Sequence, residues 1–126
     1  MGTCLHKYKL IEKQCSHPVY KENLCIFHYN YPNLEEKKDE FNRAIKSLIE
    51  KVENDDTINQ YDFEEFTFPE ISFLNVTFIK PVYFTMSTLS GYVDFTNSKF
   101  LYIAVFNECT FSGYTDFTNS KFTYTA

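Results

Sequence analysis

The chain has 126 residues, enough for one core and a small appended module. Twelve Lys and Arg against 17 Asp and Glu leave a net charge of −5, which argues against direct binding of nucleic-acid phosphates. No apolar run reaches the ~18–20 residues that span a bilayer, and no signal peptide or myristoylation pattern opens the chain, so a cytoplasmic, membrane-free protein with reduced thiols is expected.

In chain order, the first predicted unit covers residues 1–32. Cys4, Cys15, Cys25 and His28 have the spacing C-x10-C-x9-C-x2-H. Three thiols and an imidazole form a tetrahedral zinc set, and four protein ligands leave no open position, so a bound Zn2+ would be structural. The segment is too short to bury a core, and metal binding would supply its folding free energy. His17 is the second choice as the histidine ligand and His6 the third. The alternative is three buried, reduced thiols beside an incidental histidine. A Cys–His nucleophile would also need an orienting third group and an oxyanion pocket, neither of which the sequence offers.

Residues 33–56 predict an amphipathic helix. Asn33 suits the N-cap, and Glu36 three residues later completes a capping-box pattern. Leu34, Phe41, Ile45, Leu48, Ile49 and Val52 supply the apolar residues, with one helical stripe from Phe41 onward. Such a stripe must be buried, either as a lid on the open end of the segment that follows or against a second helix. The lid is the preferred expectation.

From 61 to 126 a large apolar residue recurs every five or six positions: Phe63, Phe68, Phe73, Phe78, Phe84, Leu89, Phe95, Phe100, Phe106, Phe111, Phe117 and Phe122. Two positions before most of these rungs stands a smaller or branched residue, among them Val82, Ser87, Ala104, Cys109 and Ser120. The heptapeptide Asp-Phe-Thr-Asn-Ser-Lys-Phe occurs at 94–100 and again at 116–122, an offset of 22 residues that spans four rungs. A step of five fits neither a helix nor a long strand. It predicts short extended segments separated by tight turns, four to a coil and three coils in all. The rungs and the residues two before them should point inward. Ser90-Gly91 and Ser112-Gly113 are expected to supply turning freedom at the six-residue steps.

This ladder resembles the pentapeptide-repeat family in a Phe-rich form. The segment ending in Cys-Ile-Phe-His at 25–28 is similar to a knuckle of three cysteines and one histidine found ahead of some members. The resemblance implies a mainly β fold, a right-handed quadrilateral β-helix of about three coils. An amphipathic capping helix and a small N-terminal metal knuckle would precede it.

The expected function is a non-catalytic scaffold or protein-interaction module with a structural zinc site. The alternative that the family suggests is a DNA mimic that modulates a type II topoisomerase, which calls for a longer and more acidic array. The array offers no catalytic set, and a filled β-helix leaves no internal pocket. Tyr92 over Tyr114 should form an aromatic ladder, while Asp94 over Asp116 and Lys99 over Lys121 would stack like charges. Because the repeats run to the last residues, a protein partner or a homodimer through the C-terminal coil is expected there, unless the natural protein continues.

Overall fold

The structure, a computed structural model, describes Phe27 and residues 38–123. The Asn33 cap, Leu34 and the four candidate metal ligands lie outside the described residues. One helix, α1 (Lys38–Asn54), precedes twelve two-residue strands. They are β1 (Tyr61–Asp62), β2 (Thr67–Phe68), β3 (Ile71–Ser72), β4 (Thr77–Phe78), β5 (Val82–Tyr83) and β6 (Thr88–Leu89). Then follow β7 (Val93–Asp94), β8 (Lys99–Phe100), β9 (Ala104–Val105), β10 (Thr110–Phe111), β11 (Thr115–Asp116) and β12 (Lys121–Phe122).

Every fourth strand pairs in parallel, giving four three-stranded sheets: β1-β5-β9, β2-β6-β10, β3-β7-β11 and β4-β8-β12. The chain therefore visits each sheet once per tier, through three tiers. Tyr61 lies against Val82 and Thr67 against Thr88, an offset of 21, whereas Ile71 lies against Val93 and Val93 against Thr115, an offset of 22. The shorter offset follows from the five-residue step between Phe68 and Phe73. This is a stacked, β-helix-like fold, as the ladder predicts.

The rungs fill the interior as ring columns. Phe73, Phe95 and Phe117 stack with centroids 4.9 and 4.8 Å apart, and Phe78, Phe100 and Phe122 at 4.9 and 4.6 Å. Phe63, Phe84 and Phe106 form a third column, at 5.2 and 5.0 Å. Leu89 interrupts the fourth, between Phe68 and Phe111. The slim positions taper along the axis. Tyr61, Val82 and Ala104 share one register, and Phe66 and Ile71 stand in the first tier where Ser87 and Val93 stand in the second. Large side chains fit in the first tier because α1, not another tier, covers it.

Six of the corners are four-residue turns closed by a hydrogen bond from the fourth N–H to the rung carbonyl, such as Phe66 to Phe63 at 3.2 Å and Ser98 to Phe95 at 3.0 Å. Their third residues, Glu65, Asn75, Met86, Asn97, Glu108 and Asn119, all have φ between 56° and 60°. That is the type II pattern, and none of the six is glycine. Neither Gly91 nor Gly113 has a positive φ, which corrects the expectation that they supply turning freedom. They are needed for space. A Cβ on Gly91 would lie 2.7 Å from the backbone nitrogen of Glu70, and one on Gly113 would lie 2.3 Å from the carbonyl oxygen of Gly91. Asn tolerates the left-handed region better than Met does. Met86→Asn is therefore expected to raise stability by about 0.5–1 kcal/mol. An unchanged or lower urea midpoint would contradict this.

Helix α1 buries Phe41, Ile45, Ile49 and Val52, with Leu48 packed beside them, in one core with the first tier. Asp39 and Glu40 in its first turn and Lys51 in its last complement the helix dipole. Asn42 bridges helix and sheet edge, donating to the carbonyl oxygens of Lys38 and Glu70 and accepting from Ser72 N–H at 3.1 Å. Phe27 plugs the same end. Its carbonyl takes the Thr67 N–H at 2.7 Å, and its ring stacks on Phe66 at 4.5 Å and meets Phe41 edge-on.

At the other end of the helix, the Lys80 ammonium donates to the carbonyl oxygens of Val52 (2.5 Å), Asp55 (3.1 Å) and Ile58 (2.7 Å). It thus satisfies a carbonyl in the last turn of the helix and two in the loop that follows, those of Asp55 and Ile58. Lys80→Met keeps the stem but removes these donors, and a loss of about 1.5–3 kcal/mol is expected. A thermal midpoint within a degree of wild type would show that water replaces the ammonium. Tyr61 is fully buried beneath α1, donates to Glu53 at 3.1 Å and accepts from the Ile79 N–H at 3.2 Å. Burial is the main cause that pushes its phenol up to about 12.

Candidate functional site

The outward positions form four ladders with different chemistry. Thr67, Thr88 and Thr110 lie in register on one sheet. Asp62, Tyr83 and Val105 share a second. Ser72, Asp94 and Asp116 follow one another on a third, and Thr77, Lys99 and Lys121 on the fourth. Both like-charge pairs expected from the duplicated heptapeptide are thus in direct register.

The two charged ladders differ in how their charges are satisfied. Each aspartate accepts from its own turn: Thr96 N–H to Asp94 and Thr118 N–H to Asp116, both at 2.9 Å. Glu64 N–H to Asp62 and Leu74 N–H to the Ser72 hydroxyl repeat this arrangement in the first tier. The Thr118 hydroxyl, then the Thr118 N–H, holds the Asp116 carboxyl below its ordinary range. Repulsion between the stacked aspartates is offset within each tier. The ammonium groups of Lys99 and Lys121 have no hydrogen-bond or ion-pair partner among the described residues.

Tyr92 and Tyr114 stack with centroids 5.5 Å apart and planes 5° off parallel. Tyr92 also donates to Asp116 at 3.4 Å. Desolvation first, then the charges of Asp94 and Asp116, raises its phenol above the usual value. The pair is partly engaged by its own sheet.

Cys109 occupies a slim inward position. Its thiol donates to the Phe84 carbonyl at 2.7 Å and lies 3.4 Å from the Ser87 hydroxyl, and burial raises its pKa. A half-buried thiol held in this way is a poor nucleophile. Ser120 uses the same geometry toward the Phe95 carbonyl.

The described surface carries open grooves, three of which lie along the helix and the sheets. One of about 240 Å³ lies between α1 and the Tyr92 corner, lined by Lys38, Asp39, Asn42, Glu70 and Asp94 among others. A second, of about 310 Å³, runs between Arg43 and Lys46 of α1 and Leu74 and Val76 of the first tier. The third, of about 500 Å³, follows the axis across Asn75, Thr77, Asn97, Lys99, Asn119 and Lys121. None lies inside the ring columns.

Comparison with protein-family models gave no match, and neither the curated proteins nor the solved structures yielded one. Any functional reading therefore stands on residues and geometry alone.

Cys4, Cys15, Cys25 and His28, with His17 and His6, lie outside the described residues. Among the described residues no group of His, Cys, Asp or Glu is arranged to hold a metal ion, and no helix is long and apolar enough to cross a membrane. Sequence reasoning missed Phe27 and Lys80. Phe27 falls between two candidate ligands in Cys-Ile-Phe-His, and its large ring directly after Ile26 was the available signal for an apolar contact. For Lys80, being one of only three cations in 61–126 was the signal.

Proposed function

We propose that this chain is a non-catalytic scaffold or protein-interaction module of the pentapeptide-repeat type. Its three tiers form a right-handed quadrilateral β-helix, with a structural zinc site at Cys4, Cys15, Cys25 and His28 beside it. The observation that carries this reading is how the interior is used. Ring columns and slim partners occupy it, and the outward positions form regular polar ladders suited to contact with a partner. The right hand follows from the strong preference of parallel crossover connections for that sense. A cytoplasmic setting fits the reduced thiols that zinc ligation requires.

Three thiolates and an imidazole fit zinc, and Phe27 links such a site to the stack. It lies between Cys25 and His28 in sequence, while its ring and carbonyl engage the first tier. Zinc bound there would fix the Phe27 plug. Chelation should therefore lower the stability of the whole stack as well as unfold the N-terminus. Metal analysis after dialysis should give one zinc per chain. No zinc, with free thiols on Cys4, Cys15 and Cys25, would sink the site.

The third tier supports the proposed homodimer. Phe111, Phe117 and Phe122 are each about two-fifths exposed, at 42 %, 38 % and 45 %. The N–H groups of Thr115, Phe117 and Asn119, whose second-tier counterparts donate to the third tier, have no partner among the described residues. Light scattering that shows a strict monomer at high concentration would count against self-association. The topoisomerase alternative requires a continuous acidic surface, and Lys99 over Lys121 interrupts one.

A further inference from the structure

We propose that the sheet face carrying Lys99 and Lys121 is a binding site for a phosphate group, held between the two ammonium groups and the side-chain amides of Asn97 and Asn119. The segment 61–126 contains three cations against seven acids. Lys80 is committed to the helix end. The other two stand in direct register in adjacent strands, about 4.8 Å apart along the stack. Charges dispersed only for solubility would be placed apart, because directly opposed like charges are destabilising. The aspartates that come with the same duplicated heptapeptide are satisfied by their own turns, and the lysines are not.

The surroundings are also those of an anion site. The groove over these lysines is lined by Asn75, Thr77, Asn97 and Asn119 and by no carboxylate. Each of the three asparagines is one of the two left-handed turn residues of its tier, so their Cα positions are fixed by the corners. Along the same flank Arg43 and Lys46 line the neighbouring groove, again with no acid in its lining. A basic strip thus runs down one side of an acidic protein.

Phosphate suits this geometry better than carboxylate. A phosphate monoester carries a charge of about −1.5 to −2 at neutral pH, against two positive charges here. Its terminal oxygens radiate to donors in both tiers, whereas a carboxylate presents two oxygens in one plane. Lysine binds phosphate as a point charge. The phosphate belongs either to a small phosphorylated molecule or to a phosphorylated peptide segment, since the groove is open to both.

The test uses the full chain, with inorganic phosphate and a short peptide whose one charged group is a phosphoserine as probes, and sodium chloride at matched ionic strength as control. Side-chain amide NMR signals of Asn97 and Asn119 should shift with phosphate and saturate. Lys99→Thr and Lys121→Thr copy the first-tier residue Thr77, and each should weaken binding by roughly tenfold or more. Without phosphate their thermal midpoints should equal or exceed wild type, because the stacked repulsion is gone. Should either threonine variant fold poorly, Lys99→Gln or Lys121→Gln serves the same purpose. Tighter binding of the phosphopeptide than of inorganic phosphate assigns the site to a protein partner, and the reverse order assigns it to a small molecule. Shifts no larger than those with chloride, or variants that bind like wild type, overturn the proposal.

Discussion

Phe95→Ala is expected to lower the free energy of unfolding by roughly 3–5 kcal/mol, the usual cost of truncating a fully buried Phe. Phe95 is 0 % exposed and is the middle ring of its column, between Phe73 at 4.9 Å and Phe117 at 4.8 Å. It also meets Phe84 and Phe106 edge-on at 6.0 and 6.3 Å. The hole would therefore open into two columns, and rigid backbone tiers above and below would prevent its collapse. Since a small domain has only about 5–15 kcal/mol in total, the variant should be marginal at 25 °C. Phe117→Ala is the internal control. Its ring has one stacking neighbour and is 38 % exposed, so roughly half that loss or less is expected. Urea unfolding at a protein concentration that keeps the chain monomeric would measure both. Equal losses at the two positions would contradict the graded burial along the axis.

The grading was only partly legible in the sequence. Rung spacing and the 22-residue duplication were enough to set four sheets, three tiers and the register of Lys99 on Lys121, because a solenoid converts sequence period directly into spatial neighbours. Local chemistry was less legible, because it depends on which tier a residue occupies. Tyr61 and Phe66 hold positions that are slim in the tiers below, and only the presence of α1 and Phe27 over the first tier explains them. Slimness was read correctly as a packing demand, yet hydrogen bonding adds a second demand. Ser120 and Cys109 reach rung carbonyls, whereas the buried Thr115 hydroxyl, in register with Val93, has no partner among the described residues. The candidate site was less legible still. A duplicated lysine in a sequence reads as a charge on a surface, and its unpaired state emerges only when the turns are seen to satisfy the stacked aspartates and not the stacked lysines.

The corners show most clearly how a local sequence signal can be right in place and wrong in cause. Gly91 lies where a tier passes over the backbone of Pro69 and Glu70, and its own φ would suit any residue. Gly91→Ala is therefore expected to cost about 2–3 kcal/mol through overpacking, with no contribution from backbone conformation. The added Cβ would press on backbone at 2.7 and 3.0 Å, not on the end of a flexible side chain, so the two tiers must part. Parting them strains the hydrogen bonds on either side of the corner, from Ser90 to Phe68 and from Ile71 to Tyr92, both 3.0 Å long. Gly113→Ala meets the Gly91 carbonyl even more closely, yet no described tier lies beyond it, so the last tier can tilt away and a smaller loss is expected. Hydrogen exchange at Ile71 and Ser90 distinguishes the two, since only Gly91→Ala should expose both amides. A stable Gly91→Ala protein with wild-type protection would mean that the tiers separate at this corner without cost. The close approach could then not be the reason for glycine.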